Sequence, residues 1–90
     1  MTLRTTVVNE QGTPIQNAYV SANLQVTGAT FSRYTDGNGY ADVALLTDMQ
    51  DGTPVTFLVQ ADGYKSHMEY LTIGDVYDDV EVSVTLIPFV

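Results

Sequence analysis

The sequence has no cysteine and no tryptophan among its 90 residues. Without thiols there is no disulfide framework, no thiolate metal site and no cysteine nucleophile, so packing and hydrogen bonds must hold the fold. Cationic side chains are nearly as scarce, with 3 Lys and Arg against 11 Asp and Glu, for a formal net charge of −8. A surface of that sign repels phosphate backbones and anionic headgroups, which argues against nucleic acid and membrane surfaces as partners. No apolar run approaches the ~20 residues that a spanning helix needs, so no membrane insertion is expected. No apolar stretch follows a basic start, and no signal peptide is expected either. Histidine occurs once, at His67. No segment keeps a helical period.

What the chain does have is alternation. Hydrophobic residues make up 44% of it, enough for a core. Val80, Val82, Val84 and Leu86 alternate with Glu81, Ser83 and Thr85. The same holds for Ala18, Val20, Ala22, Leu24 and Val26 against Tyr19, Ser21, Asn23 and Gln25, and for Val55, Phe57, Val59 and Ala61 against Thr56, Leu58 and Gln60. Period two marks half-buried strands, one face to the core and one to water. Turn chemistry separates them: Asn9 to Pro14, Thr27-Gly28, Asp36-Gly37-Asn38-Gly39, Asp51 to Pro54, Asp62-Gly63 and Gly74-Asp75. Strands are predicted over 2–8, 17–26, 31–36, 40–46, 54–61, 64–73 and 80–88. The fold class is all-β, a seven-stranded antiparallel two-sheet sandwich forming one domain over residues 1–90. Val20, Leu24, Val43, Leu45, Phe57, Val59, Val82 and Val84 form the expected core.

Catalytic constellations fare badly. Ser66 and His67 are neighbours in an extended run, so their side chains point to opposite faces, while Glu69 shares the face of His67. A serine nucleophile would have to come from elsewhere. No catalytic residue and no cofactor is expected. Asp36, Asn38 and Asp42 cluster around one turn and are the candidate calcium ligands; Asp48 with Asp51, and Asp75 with Asp78 and Asp79, make two further acidic loops. None follows the calcium-loop pattern of an EF-hand, and Asp and Asn are ordinary turn residues, so the reading is structural turns and no metal site.

The aromatic residues carry more information. Six tyrosines and three phenylalanines are present. Tyr19, Tyr40 and Leu58 each fall on the outward parity of their strands, and outward Tyr with Leu is interface composition. These three are the candidate interaction surface, for a protein partner or a homo-oligomeric assembly. The alternative is a glycan, with Tyr19, Tyr34 or Tyr40 as stacking platforms.

Three pieces in order resemble the carboxypeptidase regulatory-like domains. The first runs from Val7 to Val20, a strand and turn ending Gly12-Thr13-Pro14-Ile15, then Ala18-Tyr19-Val20; the second is Thr35-Asp36-Gly37-Asn38-Gly39-Tyr40; the third is Val59-Gln60-Ala61-Asp62-Gly63-Tyr64. The resemblance implies an Ig-like, transthyretin-like sandwich and an accessory module, not an activity. The transthyretin-like hydroxyisourate hydrolases carry a Tyr-Arg-Gly-Ser ending, where this sequence has Ile87-Pro88-Phe89-Val90. The crosslinking pilin domains of B type place a lysine in the first strand, where this sequence has Arg4 and its sole lysine is Lys65. Domains of this family occur beside peptidases, in outer-membrane transporters, in adhesins and in virion proteins. The function expected is a non-catalytic structural or protein-interaction module, as a virion decoration, tail or fibre component. The other setting is a carbohydrate-binding or adhesive domain of a bacterial surface protein. The expected location is a virion or cell surface.

Overall fold

Branched and aromatic side chains at every second position favour extended backbone, and strands form where that alternation is cleanest. The computed structural model describes residues 2–45, 52–74 and 79–89. Among the described residues seven strands follow in order: β1 (Thr2–Asn9), β2 (Tyr19–Leu24), β3 (Thr30–Tyr34), β4 (Tyr40–Ala44), β5 (Pro54–Gln60), β6 (His67–Thr72) and β7 (Val80–Leu86). They form a three-stranded sheet in the order β4-β1-β7 and a four-stranded sheet in the order β3-β2-β5-β6. The all-β, two-sheet sandwich expected from the alternation is therefore the architecture found.

The core lies between the sheets. Leu3 and Val7 enter it from β1, Val20, Ala22 and Leu24 from β2, Val55, Phe57 and Val59 from β5, and Val82, Val84 and Leu86 from β7. Every residue expected in the core is buried, Phe57 completely. Ala22 stands directly opposite Phe57 in the β2–β5 register, and its small side chain leaves room for the ring. Thr35 is a buried polar clasp. Its Oγ1 donates to the Ile15 carbonyl at 2.6 Å and accepts from the Ala18 amide at 2.8 Å, tying the end of β3 to the entry of β2.

Four local readings need correction. The first concerns pairing: β1 and β7 run parallel, Leu3 opposite Val80 through Asn9 opposite Leu86, while the other ladders are antiparallel. A parallel pair cannot be closed by a hairpin, and here almost the whole chain is the crossover. Second, the Asp36–Gly39 turn, which the resemblance implies to be a hairpin, carries the chain from β3 to β4 across the two sheets and closes no hairpin within one sheet. Gly39 sits against β1 there, at φ 76°, with its carbonyl accepting from the Val7 amide at 2.8 Å. Third, Val26 is 76% exposed instead of continuing the core face, since β2 ends at Leu24 and the Leu24 carbonyl accepts from Gly28 to turn the chain. Fourth, β6 starts at His67, because residues 61–64 are taken up by a turn in which the Tyr64 amide donates to the Ala61 carbonyl.

Candidate interaction face

Strand parity and register together decide what the four-stranded sheet shows to water. With Val20, Ala22, Leu24, Val55, Phe57 and Val59 turned into the core, their neighbours Tyr19, Ser21, Asn23, Thr56, Leu58 and Gln60 point outward. Residues paired across a ladder share a face, so Thr30, Ser32 and Tyr34 of β3, and Met68, Tyr70 and Thr72 of β6, join them. None of these residues is charged, in a chain whose net charge is −8. The charged residues of these strands turn the other way. Arg33 pairs with inward Val20, and its Nη1 donates to the Asp42 carbonyl at 3.3 Å, bridging the edges of the two sheets. His67 and Glu69 lie on the inner side of β6, opposite Val59 and Phe57.

The outward side chains are organised. The rings of Tyr19 and Tyr34 lie 5.5 Å apart at a tilt of 57°. Asn23 Nδ2 donates to Thr30 Oγ1, and Gln25 Nε2 donates to Thr56 Oγ1, both at 2.8 Å. Leu58 lies between Ser21 and Met68 in the register. Tyr34, Met68 and Tyr70 are 64%, 58% and 72% exposed. Cross-strand hydrogen bonds thus hold the side chains of Asn23 and Gln25 in place.

The outer face of the three-stranded sheet is different. Arg4 sits opposite Asp42 on one side and Glu81 on the other, with its Nη2 3.3 Å from Asp79 Oδ2. Tyr40 stands on this charged face, in β4. The three residues expected to form one surface therefore divide: Tyr19 and Leu58 share the neutral face, and Tyr40 belongs to the other sheet. Tyr34, expected only as a platform for a glycan, stands beside Tyr19 on the neutral face, and parity missed Met68 and Tyr70. The signal for the last two was the spacing Met68-x-Tyr70, obscured because β6 is an edge strand whose two faces are both partly wet.

The other candidate residues have local roles. Asp36 Oδ1 accepts from the amides of Asn38 at 2.9 Å and Tyr40 at 3.0 Å, the geometry of an Asx turn. Asp42 lies across from Arg4 in the β1–β4 register. Among the described residues no three histidine, aspartate or glutamate side chains gather as a cation site. The acidic groups Asp48, Asp51, Asp75 and Asp78 lie outside the described residues. His67 Nε2 is 3.3 Å from Glu69 Oε1, as their shared parity requires, while Ser66 Oγ accepts from Gln60 Nε2 at 3.4 Å.

Comparison with known proteins bears on the fold and the family. Two solved structures share the fold. One is a 3-chlorocatechol 1,2-dioxygenase from Rhodococcus opacus, at 11% identity and a TM-score of 0.71, covering 98% of this chain and 59% of that one. The other is a type II cohesin–X-dockerin complex from Acetivibrio cellulolyticus, at 21% identity and a TM-score of 0.58, covering 96% of this chain and 56% of that one. The chain thus spans little more than half the length of either, and at such identities the likeness is one of fold alone. No curated protein matches the sequence. Residues 2–86 match the carboxypeptidase regulatory-like domain. With that match over nearly its whole length, and a seven-stranded sandwich to go with it, the chain belongs to the carboxypeptidase regulatory-like domain family, a family of non-catalytic modules.

Proposed function

We propose that this domain is a protein-interaction module that docks through the outer face of its four-stranded sheet. The carrying observation is the absence of charge from that face, set with Tyr19, Tyr34, Leu58, Met68 and Tyr70, on a chain of net charge −8. Random placement of the 11 carboxylates among 90 residues would put about one or two there. Tyr brings rigid amphipathic area, Ser and Asn bring adaptable hydrogen bonds, Met adapts its shape, and interface cores are depleted of charge. The cohesin–X-dockerin complex is a protein assembly by its own description, which lends a distant precedent for a sandwich of this shape among interacting chains. In this reading the module is mounted on a larger assembly. A virion decoration, tail or fibre component is the setting proposed, and a bacterial surface protein is the other. A dense acidic exterior elsewhere on the domain suits either, because it keeps neighbouring copies from sticking.

The test is a photo-crosslinking residue placed at Tyr70 or, as a control, at Thr85 on the charged sheet, in the producing cell. A discrete adduct from position 70, absent from position 85 and lost in Met68→Asp, supports the reading. Equal labelling from the two faces, or none from position 70, refutes it. Met68→Asp is expected to leave folding nearly unchanged, because exposed substitutions move stability by about 0.5 kcal/mol or less.

A further inference from the structure

At one end of the four-stranded sheet, where β2 and β6 begin and β3 and β5 end, the chain forms an open cleft of about 660 Å³. Its lining mixes aromatic rings with hydrogen-bonding groups: Tyr34, Tyr64 and Phe89, with the amides of Asn17 and Gln60 and the carboxylate of Asp62. We infer that this cleft is a binding site for a neutral saccharide. A sugar ring has an apolar C–H face and a rim of hydroxyl groups. The first stacks on an aromatic ring, and the second is read by planar amides and carboxylates that donate and accept at fixed angles. Small-ligand sites in general combine apolar walls with a few fixed polar groups.

The backbone that carries Tyr64 and Phe89 is tied down, and the ring of Tyr34 has a neighbour. Phe89 is 67% exposed, yet its amide donates to the Gly63 carbonyl at 3.0 Å. Two residues earlier the Ile87 carbonyl accepts from Lys65 at 2.8 Å, and Tyr64 bridges to Pro88. Tyr34, 64% exposed, is propped by the ring of Tyr19. The polar floor is anchored as well. Asn17 has φ 62°, the one left-handed non-glycine among the described residues. Its amide donates to the Thr35 carbonyl at 3.0 Å, and the next amide, Ala18, donates to Thr35 Oγ1. Anionic ligands are disfavoured by Asp62 in the wall, by the absence of a cationic residue from the lining, and by the net charge of −8.

The test is titration of the ¹⁵N-labelled protein with cellohexaose, maltohexaose, xylohexaose, mannohexaose and chitohexaose, followed by amide chemical shifts. At least one is expected to give saturable shifts confined to Asn17, Tyr34, residues 60–64 and Phe89. Gln60→Leu and Tyr34→Ala should each weaken that binding by about tenfold or more, with the rest of the spectrum intact. Asn17→Gly keeps the left-handed backbone and removes only the amide, so its loss of binding separates recognition from folding. Silence from every sugar at about 10 mM overturns the inference, because weaker binding than that is no specific site. So do shifts centred on Leu58 and Tyr70, binding of only sulfated or sialylated sugars, or the same shifts produced instead by a proline-rich peptide, which aromatic grooves also accept.

Discussion

Gly39→Ala isolates the tightest backbone contact described above. Gly39 has φ 76°, and a methyl group built there lies 2.5 Å from the Val7 carbonyl oxygen and 3.2 Å from Pro14 Cβ. Two costs follow. An L-residue held in the left-handed region loses about 1–2 kcal/mol. The contact with Val7 adds more, because that residue is pinned: its amide donates to Gly39 and its carbonyl accepts from Ile15 at 3.0 Å. Pushing packed backbone aside costs about 1–3 kcal/mol. The sum is about 2–5 kcal/mol, a large share of the roughly 5–15 kcal/mol of a typical domain. Gly12→Ala is the internal control. Gly12 has φ 82° with nothing within 4 Å of the added methyl, so only the backbone cost of about 1–2 kcal/mol applies. Urea unfolding followed by far-ultraviolet circular dichroism measures both variants, with unchanged m-values expected. Equal losses, within about 0.5 kcal/mol, would show that Val7 and Pro14 yield and that the close approach carries no energy.

Phe57→Ala empties the centre of the core and should cost about 3–5 kcal/mol in the same assay; a variant melting with the parent would mean that the ring is not packed as described. Thr35→Val keeps the shape but leaves the buried Ala18 amide without its acceptor, a loss of about 1–3 kcal/mol that Thr35→Ser should largely avoid. EDTA should leave the melting temperature unchanged, since Asp36 Oδ1 already accepts two backbone amides. A calcium-dependent rise abolished in Asp42→Ala would contradict that assignment.

The inward residues were legible because the side-chain period of a strand is two. In β2, β5 and β7 one face is apolar throughout, so a shift of one residue would expose every core side chain, and Val20, Phe57 and Val84 could be placed without coordinates. Pairing between distant strands leaves no such local mark. Val82 reads alike whether β7 runs parallel or antiparallel to β1, since parity fixes the face and not the direction of the neighbour. The same limit explains Tyr40. Its outward direction follows from Ala41 and Val43, but whether it joins Tyr19 depends on which sheet β4 enters, and that is decided by the Asp36–Gly39 corner. The saccharide cleft was still less accessible, because Asn17, Gln60 and Phe89 come together only through the Tyr64–Pro88 bridge and the Thr35 clasp.

The unequal outer faces have an electrostatic consequence. Packed sheets lie about 10 Å apart, so the outward charges of Arg4, Asp42 and Glu81 lie at least that far behind the neutral face. At physiological ionic strength the screening length is about 8 Å, so their field is weakened before it reaches the side of the sheet that carries Leu58 and Tyr70. In the proposed docking, such a face offers a partner little local charge to read, so discrimination there would rest on shape and on hydrogen bonds from groups such as Asn23 and Gln60. The charged sheet does the opposite work. It repels other acidic surfaces, including a second copy approaching with its own charged face, and so leaves the neutral face as the orientation in which close approach is least opposed.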